Sequence, residues 1–150
     1  MTEVVSLIFS TISIFLSVVT VYLSFFRPKR ASLNLSGPIF NPQAKEWGLY
    51  IINAGTASTL MFLLDIKMII DSVEYQGKIR PKQQQYELKH SKEYKLYWAT
   101  FPVTDRKQIE GKEKIQIYVD IKFFSKKFKR YKKYTDLPEE DLKRFIDSIQ

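Results

Sequence analysis

The sequence predicts an all-β, antiparallel soluble domain, a sandwich or a small barrel, behind one N-terminal transmembrane α-helix and ahead of a short C-terminal amphipathic helix. Three observations lead there. Residues 4–26 carry no charge and no Pro, Gly, Asn or Gln. Between residues 31 and 135, apolar and polar side chains alternate in short runs, the period-two signature of half-buried strands. Within 136–150, Leu142, Phe145, Ile146 and Ile149 recur at helical spacing.

As a helix, residues 4–26 would be about 34 Å long, against a hydrocarbon core of about 30 Å. Lipid offers the backbone no hydrogen-bond partners, so an apolar run of this length must be helical there. Tyr22, Phe25 and Phe26 fall where interfacial aromatics sit. A cleaved signal peptide would need a basic start, a shorter apolar core and a small-residue cleavage site. The chain instead opens Met-Thr-Glu and follows the run with Arg-Pro-Lys-Arg, which points to a retained anchor. The basic juxtamembrane stop, residues 27–30, sets the orientation. Arg27, Lys29 and Arg30 face Glu3 alone on the other flank, so the positive-inside rule puts the N-terminus outside and the domain in the cytosol of a cell (inner or plasma) membrane. Pro28 ends the helix, because the residue before a proline avoids helical geometry.

Ser6, Ser10, Ser13, Ser17, Thr20 and Ser24 are spaced four, three, four, three, four. That is a heptad seam, which stays on one face of a left-handed helix pair. Small hydroxyl residues let helices approach closely and hydrogen-bond across the contact, so the stripe predicts a homo-oligomer. The competing explanation is that hydroxyls in membrane helices bond their own backbone. No ionisable residue lies inside the span, which removes the usual mark of a proton relay or ion pathway.

Strands follow in order. Leu33 and Leu35 alternate with polar neighbours, and Gly37-Pro38 and Asn41-Pro42 read as loop punctuation. Trp47, Leu49 and Ile51 alternate next and end at Asn53-Ala54-Gly55-Thr56, a turn in which Gly55 is free to take a positive φ. Residues 60–70 form a central strand, with 73–79 as its hairpin partner around Gly77. Tyr94, Leu96 and Trp98 alternate with Lys95, Tyr97 and Ala99. The clearest strand holds Ile115, Ile117, Val119, Ile121 and Phe123; a last one over 128–134 returns through Ser125-Lys126-Lys127. Trp47 and Trp98 read as core anchors. Seven short strands at about ten-residue spacing favour a sandwich. The pattern resembles immunoglobulin-like topology, without the Cys…Trp…Cys framework. In the tail, Asp136 is placed to cap a helix, with Pro138 early and Glu139 completing a capping box. The apolar stripe of that helix is expected to pack on its own sheet.

Composition bounds the chemistry. The chain has 150 residues, 24 Lys and Arg against 16 Asp and Glu, a net charge of +8, no cysteine and one histidine. Disulfides, thiolate metal sites and cysteine nucleophiles are excluded, and a histidine-based site would rest on His90 alone. Glycine-rich phosphate loops are absent. Asp65, Asp71 and Glu74 have no spacing that fixes a metal site or an acid–base pair. Catalytic residues, metal ligands and cofactors are therefore not expected, and an enzyme is disfavoured.

The charge excess gathers in Lys122, Lys126, Lys127, Lys129, Arg130, Lys132 and Lys133, interleaved with Phe123, Phe124, Phe128 and Tyr131. Such a stretch suits an anionic ligand, a nucleotide or an acidic lipid headgroup; a long nucleic acid ranks below these. The bland alternative is a hairpin whose lysines keep an edge strand from aggregating. The function expected is a single-pass, membrane-anchored cytosolic binding or sensor module, non-enzymatic and self-associating, with a protein or anionic partner. The alternative is a nucleotide-gated oligomeric effector that perturbs the bilayer, similar in general layout to antiphage-defence effectors.

Overall fold

The computed structural model describes residues 1–26, 29–82, 85–90 and 92–149. Helix α1 (Thr2–Phe25) is long and apolar enough to cross a membrane, and none of its residues is buried by the rest of the chain. Tyr22 and Phe26 stack at its end, ring centroids 5.8 Å apart. Arg27 and Pro28, expected to contribute to topology and helix termination, lie outside the described residues.

The remaining described residues form nine strands in two antiparallel sheets that share one apolar core. The strands are β1 (Leu33–Asn41), β2 (Glu46–Asn53), β3 (Thr59–Ile70), β4 (Val73–Gln76), β5 (Lys78–Arg80), β6 (Gln85–Leu88), β7 (Tyr94–Thr100), β8 (Ile115–Ser125) and β9 (Lys127–Asp136). One sheet runs β1-β2-β7-β5; the other runs β4-β3-β8-β9, with β6 added against the start of β3. Leu35, Leu49, Ile51, Tyr97 and Ala99 from the first sheet meet Met61, Ile66, Met68, Ile117 and Ile121 from the second.

Several local expectations are corrected. Residues 73–79 are not one hairpin partner. Only β4 pairs with β3, through a two-residue turn in which Asp71 and Ser72 both have positive φ, as a type I′ turn requires. The chain then crosses to the other sheet, where β5 pairs with β7. Gly77 sits at that corner because a Cβ there would lie 2.9 Å from the Phe101 ring and 3.0 Å from Ile66 Cγ2. Gly37-Pro38 is not a loop but a register shift inside β1. In β7 the inward phase is Tyr97 and Ala99, so Trp98 lies half-buried on the outer face, over Gly48. Trp47 is in the core as expected, against Phe40 and Phe145.

Two elements had no clear local signal. Strand β6 is short, and a 3₁₀ turn (Arg106–Gln108) is closed by reciprocal capping: Asp105 Oδ1 accepts from Lys107 N at 3.0 Å while Gln108 Oε1 accepts from Asp105 N at 3.0 Å.

Helix α2 (Glu139–Ser148) packs on the far end of the sheets, burying Phe145 and Ile149 with Leu142 and Ile146 at the margin. Its N-cap is Pro138, without a side-chain cap. Asp136 instead ends β9 and accepts a hydrogen bond from Gln116 Nε2 at 2.7 Å, because cross-strand pairing holds it two residues short of the helix.

Candidate functional site

The segment after α1 is bolted to the domain from residue 30 onward. Arg30 N–H donates to Thr56 Oγ1 at 3.2 Å, and Thr56 N–H returns a bond to Arg30 O at 2.8 Å. Ala31 N–H donates to Ser125 Oγ at 3.2 Å, at the tip of the β8–β9 hairpin. Ser32 N–H donates to Asn53 Oδ1, and Ala54 N–H to Ser32 O. Asn53 is 0 % exposed and gathers this end of the fold. Its Nδ2 donates to the carbonyls of Ala57, Leu88 and Lys89, and its Oδ1 also accepts from Gly55 N–H. Gly55 has no positive φ; that conformation falls on Gly37 and Gly111. Glycine is needed at 55 for closeness, since a Cβ would overlap Arg30 O and lie 2.6 Å from Ser32 N.

Three loops therefore meet the linker at one end of the domain: the β2–β3 loop, the β6–β7 loop and the hairpin tip. Among the described residues these loops and the linker carry six cations, Lys29, Arg30, Lys89, Lys92, Lys126 and Lys127, against one acid, Glu93. Glu93 is occupied, accepting the backbone N–H of Lys89. His90 is exposed in the same β6–β7 loop. The opposite end mixes charges: Glu139, Glu140 and Asp141 open α2 and Asp71 accepts from Lys114 N–H at 2.8 Å, with Lys45, Arg106 and Arg144 at the same end.

The basic stretch singled out in the sequence divides among three places. Lys126 occupies the tip with φ 62°. Along β9, alternation sends Lys127, Lys129 and Lys133 to the side of Tyr131, whose hydroxyl accepts from Leu35 N–H at 3.1 Å across to β1. Arg130 and Lys132 take the outer face beside Lys122. Arg130 forms a bidentate pair with Asp120, a carboxylate only 6 % exposed, and is committed to it. That hydrogen bonding, aided by Coulomb attraction from Arg130 and Lys132 and opposed by burial, holds the Asp120 carboxyl below its usual range. Lys122 Nζ sits 4.5 Å over the Phe128 ring.

Around that ring lies an aromatic cluster that the interleaving of residues 122–133 does not by itself reveal. Phe124 and Phe128 pair directly across the hairpin, ring centroids 5.4 Å apart, and Phe62 adds a third ring 6.3 Å from Phe128. Phe124 is 45 % and Phe128 53 % exposed. Of the aromatics expected between the cations, Phe123 is buried in the core and Tyr131 packs against it half-buried, while Phe124 and Phe128 face out.

No protein-family model, curated protein or solved structure matches this chain.

The other polar candidates have structural partners. Lys67 Nζ bridges Asp65 at 3.3 Å and Glu74 at 2.9 Å, and those bonds raise its pKa. Tyr97 is buried in the core, where desolvation, with a smaller contribution from Tyr86, pushes its phenol up to about 12. Among the described residues no group of three His, Asp or Glu is placed to hold a metal. In α1, Ser10, Ser17 and Thr20 of the hydroxyl stripe donate to carbonyls four residues back, at 2.8 to 2.9 Å. Thr11, off the stripe, does the same at 2.8 Å. Their lone pairs still face outward as acceptors.

Proposed function

We propose that this chain is a single-pass membrane-anchored binding module with its β-domain in the cytosol. In this reading α1 spans the membrane with its N-terminus outside, Lys29 and Arg30 hold the domain inside, and the stripe from Ser6 to Ser24 brings copies together. The domain is an immunoglobulin-like sandwich that recognises an anionic partner at its basic end and performs no catalysis. The strand order supports the sandwich, because β1-β2-β7-β5 against β4-β3-β8-β9 follows the ABED and C′CFG order of such folds.

One observation carries the reading: the 3.2 Å bond from Ala31 N–H to Ser125 Oγ joins the segment that leaves the apolar helix to the tip of the basic hairpin. A domain held this way presents its cations beside its own anchor.

Fractionation tests it. The chain should stay with membranes through alkaline carbonate washing. Protease added to intact cells should leave the domain whole and degrade it once the membrane is opened. Release by carbonate, or digestion of the domain in intact cells, would end the proposal.

A further inference from the structure

We infer that the linker end of the domain docks on the acidic headgroups of the same leaflet that α1 enters, with the hairpin tip as its deepest point; this rests on the membrane-anchored reading above. Four features converge on that occupant.

The first is reach. Ala31 lies five positions beyond Phe26, so the end of the apolar helix and the docked linker lie at most about 18 Å apart. The domain cannot drift from the surface. The second is fixed presentation. Arg30, Ala31 and Ser32 each donate a backbone N–H to a side chain of the domain, so the chain leaves the domain at one fixed point among these loops, which keeps them the part of the domain nearest the leaflet. The third is charge. Among the described residues the linker and its three loops carry six cations against one acid, whereas at the opposite end the Glu139, Glu140 and Asp141 turn of α2 balances cations such as Lys45 and Arg144. Cations close to an acidic leaflet are attracted within about a Debye length, roughly 8 Å at physiological salt.

The fourth feature is the aromatic cluster. Phe124 and Phe128 are the residues that flank the hairpin tip, each about half exposed, with Lys122 Nζ resting on one of the rings. Exposed phenylalanines beside lysines suit the headgroup layer, where rings meet acyl carbons while ammonium groups stay with phosphates. A soluble nucleotide would want an enclosed cleft, and the cluster is an open face of a sheet.

The absence of cysteine makes the test clean, since one introduced thiol is unique. Ser58→Cys places a nitroxide label on the β2–β3 loop at the docking end, and Ala44→Cys places one on the β1–β2 turn at the other end. The full chain is reconstituted in nanodiscs of phosphatidylcholine alone, or with about 30 % phosphatidylserine, enough to give a strong negative surface potential. Lipid-soluble oxygen and a water-soluble nickel chelate then report the depth of each label.

With phosphatidylserine, the label at 58 should gain oxygen contact and lose nickel contact, while the label at 44 stays in water. Lys126→Gln with Lys127→Gln should lower the docked-to-undocked ratio about 25-fold, from roughly fivefold for each charge removed near the leaflet. Phe124→Ser with Phe128→Ser should reduce depth without abolishing the phosphatidylserine dependence. Equal nickel contact at both labels in both lipids would overturn the docking, as would a label at 58 that responds to ATP but not to phosphatidylserine. Recovery of the chain in the nanodisc fraction is scored separately: failure to incorporate removes the anchored reading itself, whereas an incorporated chain with a wet label at 58 removes only the docking.

Discussion

Ser125 accepts, through its Oγ, a hydrogen bond from the backbone N–H of Ala31 across 3.2 Å, although 94 positions separate the two residues. Ala31 and Ser125 are both buried, so the contact is shielded from water. It makes the linker part of the domain rather than a tether beside it, and most of what can be tested depends on that union.

Gly55 is where the union is tightest. In Gly55→Ala the added methyl would meet Ser32 N at 2.6 Å and the Ala31 carbonyl carbon at 2.8 Å, and backbone cannot rotate away as a side chain can. Overpacking of this kind costs about 1–3 kcal/mol. The expected outcome is a lower urea midpoint together with faster tryptic cleavage after Arg30, because the linker is displaced first.

Asn53, the last residue of β2, should be more sensitive than a strand end usually is. Asn53→Ala leaves the carbonyls of Leu88 and Lys89 and the N–H groups of Gly55 and Ser32 without the amide they share. With each buried unsatisfied group costing about 1–3 kcal/mol, and some relieved by water, a loss of about 3 kcal/mol is expected. Urea unfolding measures it as a shifted midpoint at unchanged slope.

Phe145 ties the C-terminal helix to the core, with ring centroids 5.2 Å from Phe40 and 5.5 Å from Trp47. Truncating such a residue costs about 3–5 kcal/mol. Phe145→Ala should undock α2, seen as loss of near-ultraviolet circular dichroism from Trp47 and faster amide exchange confined to residues 139–148.

The Asp120–Arg130 pair sets an acid limit. The folded carboxyl titrates below its ordinary 3.8, while the unfolded one keeps that value. Its stabilisation is thus complete above about pH 4 and disappears as pH falls through the folded value. Thermal midpoints of the parent and of Asp120→Asn should differ most at neutral pH and converge in stronger acid; a gap that stays constant with pH would show that the charge contributes nothing.

If the hydroxyl stripe of α1 joins copies as proposed, Ser13→Leu with Ser17→Leu removes two of its contacts while keeping the helix apolar. Each such contact contributes about 0.6–2 kcal/mol, so several act together. The mass of the detergent-solubilised particle should fall toward a monomer, with membrane retention unchanged. An unaltered mass would assign the hydroxyls to the internal bonds that Ser10, Ser17 and Thr20 already make.

Much of this architecture was legible in the residues. The strand around Ile117 and Ile121 and the central strand over 60–70 were found where alternation or apolarity was strong. The hairpin turn at Ser125-Lys126-Lys127 and the apolar stripe of the tail helix were equally plain. The basic stretch was visible too, but not its division. Period two separates Lys129 from Arg130, yet nothing local says that Arg130 is taken by Asp120 while Lys126 and Lys127 are exposed at the tip. The aromatic surface was half legible, since Phe124 and Phe128 stand among lysines, whereas Phe62 joins them only through the pairing of β3 with β8.

By itself the sequence determined the long apolar helix, the β character of the rest and the amphipathic tail, because each follows from a spacing that neighbouring residues carry. Only the tertiary structure decided the crossing of the chain at Gly77, the inward choice of Tyr97 over Trp98, and the fastening of Ala31 and Ser32 to Ser125 and Asn53. Those outcomes depend on groups that the chain brings together from far apart. A pattern apolar on both faces, as in β7, does not say which face meets the other sheet, and a backbone N–H gives no sign in the sequence of the side chain that will accept its hydrogen bond.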